Sequence, residues 1–440
     1  MQKKIIALAV AGLVSGAAFA QTNVTVYGVA DASFESASAT GSAYGFNNDR
    51  KSFNRVNTNS SLIGFRGTES LGGGLDAIFQ FESGANFDSA GALSLGRDSF
   101  VGLRSASFGT VRLGNISGPT RVLGANVDLN AGSTTPGANS SIIGKVLGGN
   151  AMVAGVSEVL QAAALPSGQV QGSMYNNGAA GYNSGAFDTR FTNSFNYTTP
   201  SFGGLTGAFS YGAGENRNLD SAIPRSQLNT KTWDIGAFYN NGPIYVGLTH
   251  GKIDQNRSGT AAQPYRGCAI GFTTNANTGA VTQPALISCA ADASSITRFA
   301  GKFTFNGGHQ VAALWERNKA DISWNSSQNI TPADTSSITQ STYGIAGKFM
   351  ATPSLALIGQ YYKTRDASIS NMAPDGDTNV KMLELGAEYS LSKRTMLKAA
   401  YTTMTNGDDV ATDFNVGSVG GGFGTGAKLK VWSAGLRHTF

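Results

Sequence analysis

Charged side chains recur at alternate positions of short apolar segments along this chain. Arg66 alternates with Ile63 and Phe65, and Glu82 with Phe79 and Phe81. Asp98 and Arg104 alternate with Val101 and Leu103, and Arg112 with Val111 and Leu113. The same phase collects Asp31, Arg190, Asp234, Arg298, Lys302, Glu316, Lys348, Glu384, Glu388, Lys398 and Arg437. Strand side chains point to opposite faces with period two, so these charges share one face of a sheet and the apolar residues the other. A face this rich in both signs of charge demands water. The opposite face suits hydrocarbon, where a Lys or Arg at mid-depth costs roughly 2–4 kcal/mol. The implied chemistry is electrostatic handling of dissolved solutes.

Bond-making chemistry finds little support. The histidines are His250, His309 and His438, and no G-x-S-x-G or H-E-x-x-H pattern accompanies them. His250 falls near Asp254 at a strand end, a pairing that reads as a solvated loop contact rather than a hydrolytic site. No enzyme activity, cofactor or metal site is expected. Cys268 and Cys289 fall in one loop-like region, and in an oxidising compartment a disulfide between them is expected, worth roughly 3 kcal/mol. The 32 basic and 27 acidic residues give +5, and losing Lys3 and Lys4 with a leader leaves +3. With no dense basic run, no nucleic-acid partner is implied.

The elements that must position these charges are strands. The chain repeats one unit from Gln21 onward: an alternating strand, a tight turn, a returning strand, then a longer polar loop. Turns such as Gly72-Gly73-Gly74, Asn240-Asn241-Gly242-Pro243 and Asn306-Gly307-Gly308 supply the φ values that tight hairpins need. The last strand places Trp432, Ala434, Leu436 and Phe440 on one face and Ser433, Gly435, Arg437 and Thr439 on the other. Phe440 reads as an aromatic-girdle residue and a C-terminal assembly signal. Residues 1–20 have a basic start, an apolar run and an Ala18-Phe19-Ala20 close, so they read as a secretory signal cleaved before Gln21. Residues 21–440 would then form one barrel domain.

The fold class expected is all-β, a transmembrane antiparallel barrel of about 16 strands. Each strand is expected to have about 9–12 residues, enough to cross a membrane when tilted. Short turns would lie on the periplasmic side. Outer loops of roughly 15 to over 70 residues would alternate with them, and that sorting by parity separates an outer-membrane barrel from a soluble sandwich. In hydrocarbon only a closed sheet leaves no backbone group unpaired, and a barrel of about 16 strands encloses an aqueous channel. Charged residues make up only 13% of the chain, against about 25% for a soluble domain.

The connection from about Ile116 to Asp188, after the fifth strand, exceeds a casual surface loop. Part of it is expected to fold into the barrel and narrow it, presenting Asp128 or Glu158 to the opposite wall. A helix-like segment at 151–164 would lie in the lumen or above it. The pore-lining set expected is therefore Arg66, Asp98, Arg104, Arg112, Asp128 and Glu158.

Six segments carry a resemblance over the whole chain: VTVYGVAD at 24–31, GFRGTESLGGGL at 64–75, GRDSFVGL at 96–103, FGTVRLG at 108–114, LSKRT at 391–395 and GLRHTF at 435–440. The chain resembles the general porins of β-proteobacteria. That resemblance implies a 16-stranded barrel in a Gram-negative outer membrane, in contact with lipid and lipopolysaccharide. It also implies a homotrimer, a third loop inside the channel, and passive diffusion of ions and small hydrophilic solutes. Some anion-selective members carry an Arg where this chain has Leu62, and a basic residue where it has Asp98. Weak charge selectivity is the expectation that follows, with Arg66, Arg104 and Arg112 left as a basic ladder. The rival reading is a substrate-specific channel for a sugar or carboxylate, for which Tyr27, Tyr245 and Tyr362 share the inward phase. Small outward residues Gly28 and Ala30 offer a surface for a neighbouring subunit.

Overall fold

The computed structural model describes residues 23–42, 49–88, 93, 95–133, 135–145, 187–213, 227–258, 270–274, 281–326, 335–370, 377–408, 410–420 and 423–440. The leader at 1–20, Glu158, the segment 151–164 and Cys268 lie outside the described residues. So, therefore, does any pairing of Cys268 with Cys289.

Nineteen strands form one antiparallel sheet that closes into a ring of 16 spans. In order they are β1 (Asn23–Thr40), β2 (Arg50–Asn57), β3 (Leu62–Gly72), β4 (Leu75–Gly84), β5 (Ser99–Ser105), β6 (Gly109–Ser117), β7 (Arg190–Thr198), β8 (Leu205–Ala213), β9 (Gln227–Asn241), β10 (Ile244–Ser258), β11 (Ile270–Thr274), β12 (Val281–Thr304), β13 (Gln310–Ser326), β14 (Thr335–Met350), β15 (Leu355–Thr364), β16 (Ser368–Ile369), β17 (Val380–Ser390), β18 (Thr395–Asn406) and β19 (Lys428–Thr439). β2 and β3 are two halves of one span, since both pair with β1. β16 extends β15 along β14, and β11 pairs only with the outer end of β12.

The break between β2 and β3 is repaired by side chains. Asn59 and Ser60 adopt positive φ (39° and 61°), which interrupts the ladder opposite Asp31. The Asp31 amide then donates to Ser61 Oγ (2.8 Å), and Asn59 Nδ2 donates to the Asp31 carboxylate (3.0 Å). A buried backbone donor left unpaired would cost about 1–3 kcal/mol.

Closure occurs between β1 and β19, in register from Val29 opposite Thr439 to Thr40 opposite Lys428. At the rim, Gly28 and Phe440 exchange two backbone hydrogen bonds of 3.1 Å. A Cβ on Gly28 would lie 2.3 Å from the Phe440 ring. The small residue at position 28 thus seats the chain's own terminal aromatic and does not form an open contact surface.

Short turns and long loops alternate around the ring, as the sequence implied. Several strands exceed the expected length, however: β12 has 24 residues and β9 and β10 have 15 each. Their ladders continue past the membrane, to Ser258 opposite Gln227 and Ile287 opposite Ser326. Residues that the sequence assigned to outer loops are instead paired ribbon.

Outward side chains such as Val26, Phe65, Val101, Leu113, Ile235, Leu385 and Trp432 are exposed, consistent with a lipid-facing surface. No helix among the described residues is long and apolar enough to cross a membrane. The apolar core lies inside the ring. It joins Leu123, Val127, Ile142 and Ile143 of the third long loop to Val410, Phe414 and Phe423 of the eighth. Both sets pack on inward residues such as Leu314, Ile358, Met382 and Met404.

Gly28→Val and Phe440→Ala both remove the ring-on-glycine contact at the seam. Each variant should yield less heat-resistant barrel and a lower melting point by gel mobility shift than the parent chain. Wild-type heat resistance in both would show that closure does not depend on this contact.

Candidate functional site: a half-filled lumen

The third long loop (118–189) turns inward at once. Its helix α1 (Pro119–Val127) has Pro in its first turn but no capping side chain of its own. Asp234, projecting inward from β9, takes that role and accepts from the Thr120 amide and hydroxyl, both at 2.8 Å. A carboxylate there also complements the positive end of the helix dipole. The loop is thereby fixed to the wall where it enters the barrel.

A buried ionic cluster holds it there. Arg298 of β12 and Glu316 of β13 are both fully buried, with Arg298 Nε donating to Glu316 Oε2 at 2.8 Å. The same guanidinium donates to the Thr120 carbonyl (2.6 Å) and to Asp188 (3.1 Å), while the Gly144 amide donates to Glu316 (2.7 Å). Both ends of the described loop therefore converge on one wall pair. Gly124 permits the approach, because a Cβ there would lie 2.5 Å from Arg298 Nη1.

Further along, the loop crosses to the far wall. Asp128 is buried and accepts from the amides of Asn130 (3.0 Å) and Asn139 (2.8 Å) and from Gln360 Nε2 of β15 (3.3 Å). It therefore reaches the opposite wall as a structural acceptor within the packed loop. The Ala131 amide donates to Glu388 (2.7 Å), which also pairs with Lys348 (2.6 Å). Thr135 donates to buried Glu384 (2.7 Å).

The eighth long loop (407–427) also folds inward. Asp413 accepts from the amides of Phe414, Val419 and Gly420 and from the Ser418 hydroxyl, shaping a compact turn. Arg50 and Arg55 of β2 donate to the carbonyls of residues 417–420, and Arg55 also pairs with buried Glu35 (2.8 Å). Asn415 joins the two loops through Ser140 and Ser141. The lining charges thus divide into two groups. Asp234, Arg298, Glu316, Glu384 and Glu388 are buried under loops, which corrects the expectation that the whole lining is hydrated.

The wetter group lies on β3–β7. Arg66 is exposed and sits 4.9 Å over the Tyr27 ring, and Tyr27 donates to Glu82 (2.7 Å). Arg104 is half exposed and pairs with Asp76 (3.0 Å). Arg112 donates to Asn196 and Thr198 and lies 5.4 Å over Phe100. Asp98 pairs with Arg190 (3.3 Å) and accepts from the Ser117 amide (2.6 Å), so its charge is matched and it also steers the loop entrance. Arg97 pairs with Glu82 (3.5 Å). Arg66 and Arg112 have no carboxylate at ion-pair distance among the described residues, and they leave this wall locally positive.

The tyrosines do not make a continuous track. Tyr362 is buried in the loop core, and Tyr245 stacks on Phe238 at 6.5 Å. His250 contacts Thr297, His438 contacts Thr395, and His309 accepts from the Met350 amide. Sequence reasoning missed Glu35, Arg55, Asp188 and Asp413 as loop anchors. Only the spacing of Gly417 and Gly420 after Asp413 hinted at a carboxylate-centred turn.

A family model described as Gram-negative porin matches residues 7–409. An outer membrane porin protein of Bordetella pertussis is 28% identical over 283 residues, covering 60% of this chain and 62% of that protein. Outer membrane porin protein 32 of Delftia acidovorans is 31% identical over 255 residues, covering 56% and 59%. The matched part thus spans about three fifths of these relatives. Among solved structures, an anion-selective porin from Comamonas acidovorans gives a TM-score of 0.63 at 22% identity, over 96% of this chain and 100% of that one. A trimer form of OmpT from Vibrio cholerae gives 0.53 at 13%, over 95% and 99%. At these identities the structural likeness shows the fold alone.

Two predictions follow from the loop anchors. Arg298→Met leaves buried Glu316 without its counter-charge and Asp188 with only Arg121 at 3.5 Å, and breaking a buried pair in this way typically costs about 3–5 kcal/mol. The variant barrel should still form, but limited proteolysis should cut 118–189 where the parent resists. Lys145, buried in that loop, donates to the Ser141 carbonyl (2.8 Å), and burial pushes its amine down to about 8. In the unfolded chain the amine holds its proton up to about pH 10.4. The charging penalty is therefore full below pH 8 and fades as pH rises towards 10. Lys145→Met should raise the melting point more at pH 7 than at pH 10, and an equal gain at both would refute the assignment.

Proposed function

Because this chain belongs to the Gram-negative porin family, we propose that it forms a water-filled channel across the outer membrane for passive diffusion of ions and small hydrophilic solutes. The observation that carries this reading is the asymmetric lumen. The β9–β19 wall is covered by inward loops, while the inward side chains of β3–β6, including Arg66 and Arg104, remain in contact with solvent. The conducting path runs along that wall. Its width is limited by the third loop and, on the outer side, by the eighth.

Charge selectivity is weak, because three of the arginines here face carboxylates: Arg97 with Glu82, Arg104 with Asp76 and Arg190 with Asp98. Arg66 and Arg112 supply the residual positive potential, which favours anions modestly and is screened within about 8 Å at physiological salt. Asp98 and Asp128 act mainly by holding the third loop. A homotrimer is the assembly we infer, since the relatives are outer-membrane porins and one structural neighbour is described in a trimer form. Phe440 serves assembly by locking the seam.

Planar-bilayer recording of the full-length protein under a salt gradient tests this function. Lasting stepwise increments with a small anion-side reversal potential are expected. Arg66→Gln combined with Arg112→Gln should move that potential towards cations, and Asp98→Asn towards anions. A folded barrel that gives no steps, or charge variants that leave the potential unmoved, would refute the reading.

A further inference from the structure

The arginines of the wet wall are of two kinds. Arg97, Arg104 and Arg190 face carboxylates, and none of the three lies over a ring among the described residues. Arg66 and Arg112 are the reverse. Each lies over an inward aromatic ring, at 4.9 Å from the centre of Tyr27 and 5.4 Å from that of Phe100, with no carboxylate at ion-pair distance among the described residues. At these two positions an aromatic seat stands where the others have a counter-ion.

The register shows the same seat built twice. Tyr27 of β1 stands opposite Gly64 of β3, and Arg66 is two positions along β3 from that glycine. Phe100 of β5 stands opposite Gly114 of β6, and Arg112 is two positions along β6 from it. Residues two apart on a strand share a face, so each ring lies diagonally beside its arginine on the lumen side. At the first seat the glycine is required, since a Cβ on Gly64 would lie 2.5 Å from Tyr27 Cζ. The ring therefore lies across the glycine instead of standing out into the lumen. Its hydroxyl donates to Glu82 (2.7 Å), and Arg97 meets the same carboxylate at 3.5 Å, so the ring is pinned.

The side of Arg66 turned away from Tyr27 is left to the solute. Arg66 is exposed, and the residues directly opposite it, Thr25 and Gln80, are uncharged. Gln80 in turn stands opposite Phe100, so the two seats are two strand spacings apart on one level, roughly 10 Å. Arg112 is held by neutral oxygens of Asn196 and Thr198, which leave its charge uncancelled. A guanidinium is flat and weakly hydrated, and it stacks on π systems as well as pairing with carboxylates. An ammonium supplies the charge without the plane.

We propose that Arg66 on Tyr27, followed by Arg112 on Phe100, favours planar aromatic carboxylates among the small anions that pass along the wet wall. The solute ring stacks on the open face of the guanidinium while the summed positive field of both arginines holds its carboxylate. An aliphatic carboxylate of equal charge gains the field and not the stack. The inference rests on the diffusion reading above and names the class of solute that this path prefers.

The test uses the full-length protein in planar bilayers, first in potassium chloride and then under gradients of potassium benzoate or potassium cyclohexanecarboxylate. The two carboxylates have the same charge and nearly the same size, and only benzoate is flat. Cyclohexanecarboxylate is at least as apolar, so simple partitioning does not favour benzoate. Reversal potentials give the permeability of each anion relative to potassium. The parent should prefer benzoate by about two- to fivefold. Arg66→Lys keeps the charge and gives up the plane, and Tyr27→Leu removes the seat, so each should bring the ratio of the two anions towards one. Should Tyr27→Leu fail to fold, Arg66→Lys decides the matter. Equal permeability of the two anions in the parent, or an unchanged ratio in either folded variant, would overturn the proposal. A folded barrel that gives no steps in potassium chloride fails the diffusion reading by itself. Equilibrium dialysis of the detergent-folded protein against the two radiolabelled acids then decides the site, tighter benzoate binding supporting it and equal binding overturning it.

Discussion

Hydrocarbon offers no partner to a peptide group, so a chain that crosses it as strands must return to its own first strand. Every other feature here depends on that closure. The pairing of β1 with β19 is long, from Val29 opposite Thr439 to Thr40 opposite Lys428, and it ends in reciprocal bonds between Gly28 and Phe440. A glycine is needed at the seam because the terminal ring occupies the space of its side chain. Closure also fixes the phase of every strand. One phase is committed to lipid, and the other to whatever fills the ring.

What fills the ring is a compromise between charge and packing. An empty lumen of this size would be wet, and its charges could tolerate one another through solvation. Instead, two loops enter and dry one wall, so that each buried charge there requires a specific partner. Arg298 with Glu316 and Asp188 answers that requirement for the third loop, as Arg55 with Glu35 does beside the eighth. The dry wall is therefore held by specific ion pairs, while the wet wall keeps side chains such as Arg66 and Arg104 in contact with solvent. Position along the barrel does not separate pore residues from structural ones. What separates them is whether a loop covers them.

The pattern legible in the sequence was the one with period two. Alternation in segments such as Leu75–Gly84 and Lys428–Thr439 marks the strands and the face of each charge, and those faces are the observed ones. Hairpin turns were equally legible, because Gly72-Gly73-Gly74 and Gly307-Gly308 adopt the positive φ that their composition implies. Burial of the charges was not legible. Arg298 and Arg104 look alike along the chain, and only the three-dimensional course of residues 118–145 makes one a fully buried anchor and the other a half-exposed lining residue. Asp128 was correctly placed in an infolded loop, but its role as an acceptor for Asn130, Asn139 and Gln360 needs tertiary contacts. The infolding of 407–427 also went unread, since its apolar residues do not follow a period.

The wet wall obeys the same electrostatic rule with two solutions. Where geometry allows a partner, Glu82, Asp76 and Asp98 meet Arg97, Arg104 and Arg190. Arg66 and Arg112 have no carboxylate at ion-pair distance among the described residues. Arg66 rests over the Tyr27 ring, and Arg112 donates to Asn196 and Thr198 beside the Phe100 ring. An aromatic face and neutral oxygens orient these two guanidinium groups without cancelling their charge, so the wall keeps a net positive potential that a fully paired lining would lack.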